Sequence, residues 1–143
     1  MTTEILAPAA LLALWTLIVL AWAAGVRLPA MAKAGFDLSN PPPGGRRGND
    51  LEGVLPDAVN WKFHNYTHLH EQPTLFYAIA AILAITGTAT ALSVQLAWAY
   101  FGLRVIHTLV QATTNFVPAR FGIFAVSTVC LLVLTIQAVM ATL

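Results

Sequence analysis

The chain has 143 residues, 58% of them hydrophobic and only 9% charged, with a formal net charge of +1. A mean hydropathy of +0.74 on so few charges excludes an ordinary soluble globule and fits a single membrane domain. The near-zero charge, with no basic cluster on any helix, argues against nucleic acid as a partner.

The first element is expected at about 4–27. Glu4 and Arg27 bracket 22 uncharged residues, enough for the roughly 20 that a bilayer core demands. The N-terminus carries no basic n-region, and its apolar run is longer than that of a signal peptide, so it reads as a first span. Trp15 and Trp22 read as packing or lipid-facing residues, Trp22 close to an interface. Residues 28–57 follow as the only long loop. NPPPGGRRGND (40–50) cannot be helical, because three successive prolines are followed directly by two glycines. Arg46 and Arg47 there form either a solvated basic linker or an anion-binding nest with Gly44 and Gly45.

A second span is expected over about 58–86, with Asp57 placed to cap it. Its back half, TLFYAIAAILAIT, is apolar. Its front half, NWKFHNYTHLHEQP, holds His64, His68, His70, Glu71, Asn60 and Asn65, which must face protein or a polar cleft because charge facing lipid is costly. Pro73 is expected to kink the helix where the halves meet. His64, His68 and Glu71 recur at i, i+4 and i+7 on one helical face. That set is a weak candidate for transition-metal ligation, the alternative being histidines that bond across a subunit contact.

A third span at about 91–116 is interrupted by Arg104 and His107. A fourth, at about 119–141, begins with Arg120 and is otherwise apolar except for Gln137. Its Cys130, the only cysteine, excludes an intramolecular disulfide and a CxxC site and reads as a small core residue. Lys and Arg lie on the first connection and its flanks (Arg27, Lys33, Arg46, Arg47, Lys62) and on the third (Arg120). The positive-inside rule then puts the 28–57 loop in the cytoplasm and both termini outside.

Spans 2 and 3 run antiparallel about a turn near residue 88. At ~1.5 Å per residue, Glu71 and Arg104 differ in depth by about 3 Å, and His70 and His107 lie level. A Glu and an Arg at one depth are expected to pair. The pair either fixes helix packing or leaves Arg104 facing a cleft that takes an anionic ligand.

NYTHLHEQPTLFYAIAAIL resembles the span-2 signature of membrane-associated proteins in eicosanoid and glutathione metabolism, the MAPEG family. In that signature an Asn, a Glu and a Pro precede an apolar run, and bacterial members often read like N…LFE-x-PVLFYAL. AWAYFGLRVIHTLVQATTNFVPARFGIFAVSTVCLLVL is similar to the family's Arg-x-x-His span, its turn and the Arg-led last span. The resemblance covers residues 58–141.

It implies an all-α, left-handed four-helix membrane bundle, one four-span domain over 1–143, assembled as a homotrimer in a bacterial cytoplasmic membrane. It further implies glutathione bound near the cytoplasmic side between subunits, its thiolate attacking a lipophilic electrophile or reducing a lipid peroxide. By position, Arg104 and Arg120 correspond to the anion and thiolate contacts, and Asn65 and Glu71 to the residues that hold the glutathione backbone and amine. Lys62 stands where glutathione-using members carry an Arg, and His107 and Gln111 replace their tyrosines. The family also contains non-catalytic members, so the alternative is a lipid-binding trimer or an accessory subunit of a larger membrane complex.

Overall fold

The computed structural model describes residues 3–37, 39, 40, 43–45 and 47–143. Among them every regular element is helical. Helix α1, Leu6–Lys33, continues about two turns past the expected end at Arg27. A Schellman motif stops it: Gly35 takes φ 83°, Gly35 N–H donates to Ala32 O at 3.2 Å, and Phe36 N–H donates to Met31 O at 3.1 Å.

The described part of the connection that follows includes a short helical turn. Pro41, Pro42 and Arg46 lie outside the described residues, and with them the central prolines and the Arg46 half of the nest. Beyond them a 3₁₀ turn, Gly48–Leu51, is tied to the bundle. Arg27 Nη2 donates to Gly48 O at 2.6 Å, and its guanidinium lies 4.0 Å from the Phe63 ring centroid. Asn60 Nδ2 donates to Leu51 O at 3.2 Å and Leu55 O at 3.3 Å.

The second rod is two helices, α2 (Asp57–His68) and α3 (Gln72–Ile85). Two expectations are corrected here. Pro56, not Asp57, holds the N-cap position, and no side chain caps the helix. Asp57 acts from inside the first turn, where the helix dipole favours a carboxylate. Pro73 also does not kink a continuous helix. The chain breaks before it, at Leu69–Glu71, and Pro73 sits in the first turn of α3. Its ring would collide with the carbonyl four residues back, whereas in a first turn its missing N–H has no helical partner to lose.

Helix α4, Ala91–Thr113, starts at a capping box in which Thr90 and Ser93 exchange bonds. Helix α5, Val117–Thr142, starts with Pro118 in its first turn. Asn115 between them has φ 50°, a left-handed conformation that Asn tolerates better than most residues. Helix α4 packs against α5, α2 and α1, and α3 packs against α5 and α1.

The core is apolar, with Leu12, Val19, Phe76 and Leu83 fully buried, but polar groups lie inside it and the surface is unlike that of a soluble bundle. Thr16, Asn65, Ser93, Arg104, His107, Thr108, Gln111 and Ser127 are buried, while Leu17, Phe121, Val129, Leu132 and Met140 are exposed. Paired polar groups inside and apolar groups outside suit a hydrocarbon surround. Helices α1 and α5 are long and apolar enough, by length and composition, to cross a membrane. Gln137 on the last helix is accounted for, since Ser93 Oγ donates to Gln137 Oε1 at 2.7 Å.

Candidate functional site

Arg104 is the largest fully buried side chain, 1% exposed. Helix α4 carries it inward on the same face as Ala97, Tyr100, His107, Thr108 and Gln111, residues spaced to share one helical stripe. Its donors are taken up internally. Nε donates to Tyr100 OH at 3.2 Å, Nη1 to His68 Nε2 at 3.1 Å, and Nη2 to Gln72 Oε1. Gln72 Oε1 also accepts from Tyr100 OH at 3.2 Å, and Gln72 Nε2 donates to Thr128 Oγ1 at 2.9 Å. The helix break places His68 and Gln72, last residue of α2 and first of α3, on either side of one guanidinium.

The expected Glu71–Arg104 pair does not form directly. Glu71 is exposed, and its Oε2 lies 2.8 Å from His68 Nδ1. His68 therefore links the two, with Nδ1–H donating to the carboxylate and Nε2 accepting from Arg104, an arrangement that only the Nδ1–H tautomer satisfies. Depth matching named the wrong partner, because the break leaves Glu71 exposed. The same holds for His70 and His107. His70 Nδ1 bonds Tyr66 O at 2.9 Å, and the ring beside His107 is His68, with centroids 4.9 Å apart. Of the metal candidates, His68 and Glu71 meet at 2.8 Å, while His64 pairs instead with Glu52 at 2.9 Å. No group of three or more His, Cys, Asp or Glu could hold a metal among the described residues.

Next to this hub a cleft of about 230 Å³ opens between the end of α2, α4 and α5. His68, His107, Gln111 and Arg120 form its polar side, and Val117, Phe121 and Phe124 its apolar side. Phe124 joins cleft and hub, 5.7 Å from the His68 ring and 5.3 Å from the Arg104 guanidinium. Arg120 is aimed by the turn before it, through a bond from Nη1 to Asn115 Oδ1. Two buried polar atoms here have no partner among the described residues, Gln111 Oε1 and Arg120 Nε.

The other expected site residues lie elsewhere. Asn65 is fully buried and its Nδ2 donates to Thr108 Oγ1 at 3.1 Å, which also accepts from Trp15 Nε1 at 3.2 Å. Lys62 Nζ donates to Ala58 O at 2.8 Å and Ala112 O at 3.1 Å, capping the end of α4, with the Trp22 ring 5.2 Å away. Sequence reasoning missed Gln72, Tyr100, Thr108 and Phe124. Tyr100 and Thr108 flank Arg104 at four-residue spacing, a signal available in the sequence. Gln72 and Phe124 carry no such mark.

The family model described as MAPEG family matches residues 5–140. Comparison with curated proteins and with solved structures found no match.

Proposed function

The chain belongs to the MAPEG family, and from that premise we propose a four-span membrane protein that binds glutathione in the α4–α5 cleft. There it directs the thiolate to a lipophilic electrophile. The observation that carries this reading is the pair of buried atoms without a partner among the described residues, Gln111 Oε1 and Arg120 Nε, in side chains that line the cleft together with Val117, Phe121 and Phe124. A buried polar atom without a partner costs about 1–3 kcal/mol, so two in one cleft suit a ligand that supplies both a donor and an acceptor. A peptide with free carboxylates does so. Arg120 then meets a carboxylate or the sulfur, and a cation beside a thiol favours its ionised form. Phe121, Phe124 and Val117 accommodate the lipophilic partner arriving from the bilayer.

Arg104 in this reading supports the site from behind through His68. Asn65 and Lys62 fix the helices around it, and Glu71, exposed at the break, is available to a ligand or a neighbouring subunit of a homotrimer. The cleft is at the same end as the positively charged connections, which on the positive-inside rule is the cytoplasmic end.

A second reading is a non-catalytic protein, a lipid-binding trimer or an accessory subunit. The internal engagement of all three Arg104 nitrogens favours it, since a hub so engaged holds a bundle together with or without chemistry. The test is thermal unfolding of the purified protein with and without glutathione, together with turnover of a chloronitrobenzene. Stabilisation and turnover, both reduced in Arg120→Gln, are the expected results. Neither effect in the unaltered protein refutes the glutathione reading.

A further inference from the structure

A larger recess, of about 520 Å³, lies between the final turns of α1 and the segment that enters α2. It shares no residue with the α4–α5 cleft. Gly25 and Pro29 stand on one wall, and Val54, Leu55 and Val59 on the other. Hydrogen bonds made away from the recess hold the second wall in place. Asn60, 4% exposed, donates to Leu51 O and Leu55 O, and Arg27 Nη2 donates to Gly48 O. The chain from Gly48 to Leu55 is thereby fastened to the bundle and does not settle onto α1. An apolar recess left empty forgoes dispersion contacts along its whole lining.

The lining is apolar with one charged exception, Lys33, and no acidic side chain belongs to it. Lys33 lies in the last turn of α1, is exposed, and forms no ion pair among the described residues. Gly25 stands about 12 Å further back along the helix, and a Cβ there would meet nothing within 4 Å. The recess is thus an apolar slot with a cation at one end. The positive-inside rule puts that end at the cytoplasmic surface, where anionic lipids gather and attract lysines close to the membrane.

We propose that this recess is a lipid site, which seats one acyl chain of an anionic phospholipid of the cytoplasmic leaflet while the Lys33 ammonium meets its phosphate. The site is independent of the glutathione reading. The slot holds the chain and Lys33 selects the headgroup. A zwitterionic lipid offers the same chain, but its phosphate is already accompanied by its own cation.

The experiment follows the melting temperature of the full-length protein in mixed micelles as dioleoyl phosphatidylglycerol or dioleoyl phosphatidylcholine is added. Lipid retained through purification is extracted and identified by mass spectrometry. Phosphatidylglycerol is expected to stabilise at the lower mole fraction. Lys33→Gln is expected to raise the mole fraction of phosphatidylglycerol needed for half of the effect about fivefold, the worth of one lysine beside an anionic membrane surface, and to leave the phosphatidylcholine response unchanged. Gly25→Leu grows a side chain into open space, so it is expected to fold, to fill the slot and to remove the saturable stabilisation by either lipid. If it does not fold, Lys33→Gln on the exposed last turn decides the matter. Equal responses to the two lipids in the unaltered protein overturn the proposal, as do responses that neither variant changes. A retained free fatty acid in place of a phospholipid also overturns it. So does a change of oligomeric state in Gly25→Leu with the lipid response intact, which would mean that a second copy of the chain covers the recess.

Discussion

Replacing Arg104 by Leu tests whether the buried guanidinium is first a structural group. The substitution leaves His68 Nε2 without its donor, while Gln72 Oε1 keeps the Tyr100 hydroxyl. One stranded buried acceptor costs about 1–3 kcal/mol, and each lost charge-assisted bond adds to that. Relief from desolvating the Arg charge offsets part of the loss, giving a net destabilisation of about 2–4 kcal/mol. For a chain of this length 1 kcal/mol corresponds to about 2–4 °C in Tm, so the variant should melt roughly 5–15 °C lower in detergent, followed by circular dichroism. Adding His68→Leu removes the stranded acceptor. The double variant should therefore lose less than the sum of the singles, by about 1 kcal/mol. Arg104→Lys should recover little, since one ammonium cannot reproduce the fork that reaches His68, Gln72 and Tyr100 together. A Leu variant that melts with the parent yet loses stabilisation by glutathione would refute this reasoning and make Arg104 a ligand contact.

Thr108→Val leaves both Trp15 Nε1 and Asn65 Nδ2 without their shared acceptor, and should cost about 2–4 kcal/mol in thermal unfolding. A change under ~1 kcal/mol would mean that water or lipid reaches that pocket. Asn115→Gly and Asn115→Ala both release Arg120 and should weaken glutathione stabilisation equally. Only the Ala variant also bears the left-handed backbone penalty of about 1–2 kcal/mol, so equal melting temperatures would contradict the φ of 50°. At Gly48 a Cβ would stand 2.8 Å from Phe63 Cε1. Gly48→Ala should therefore push the 3₁₀ turn off Phe63 and Arg27, at about 1–3 kcal/mol, and speed proteolysis near Arg47. Unchanged proteolysis would show that the ring moves aside at little cost.

Much of this protein is written along its sequence. Hydropathy pointed to long helices, though α1 runs on to Lys33 and the second rod is two helices, and the resemblance over 58–141 pointed to the family that the match over residues 5–140 bears out. The near-constant rise per residue brought Glu71 and Arg104 into one argument, and the structure joins them only through His68. What the sequence does not carry is rotation about each helix axis. Two groups at one depth meet only if neighbouring packing turns both inward, and here packing turned Glu71 out and His68 and Gln72 in. The break at Leu69–Glu71 has the same character. Pro73 announces that the helix is interrupted, but where the interruption falls depends on what Thr67, His68 and Arg104 can bond once the chain is in place. Length, apolar stripes and the positions of charge were therefore local properties, settled by composition and period. The Arg104 hub and the cleft beside it came from side chains distant in sequence, and only the packed tertiary structure could choose among their partners.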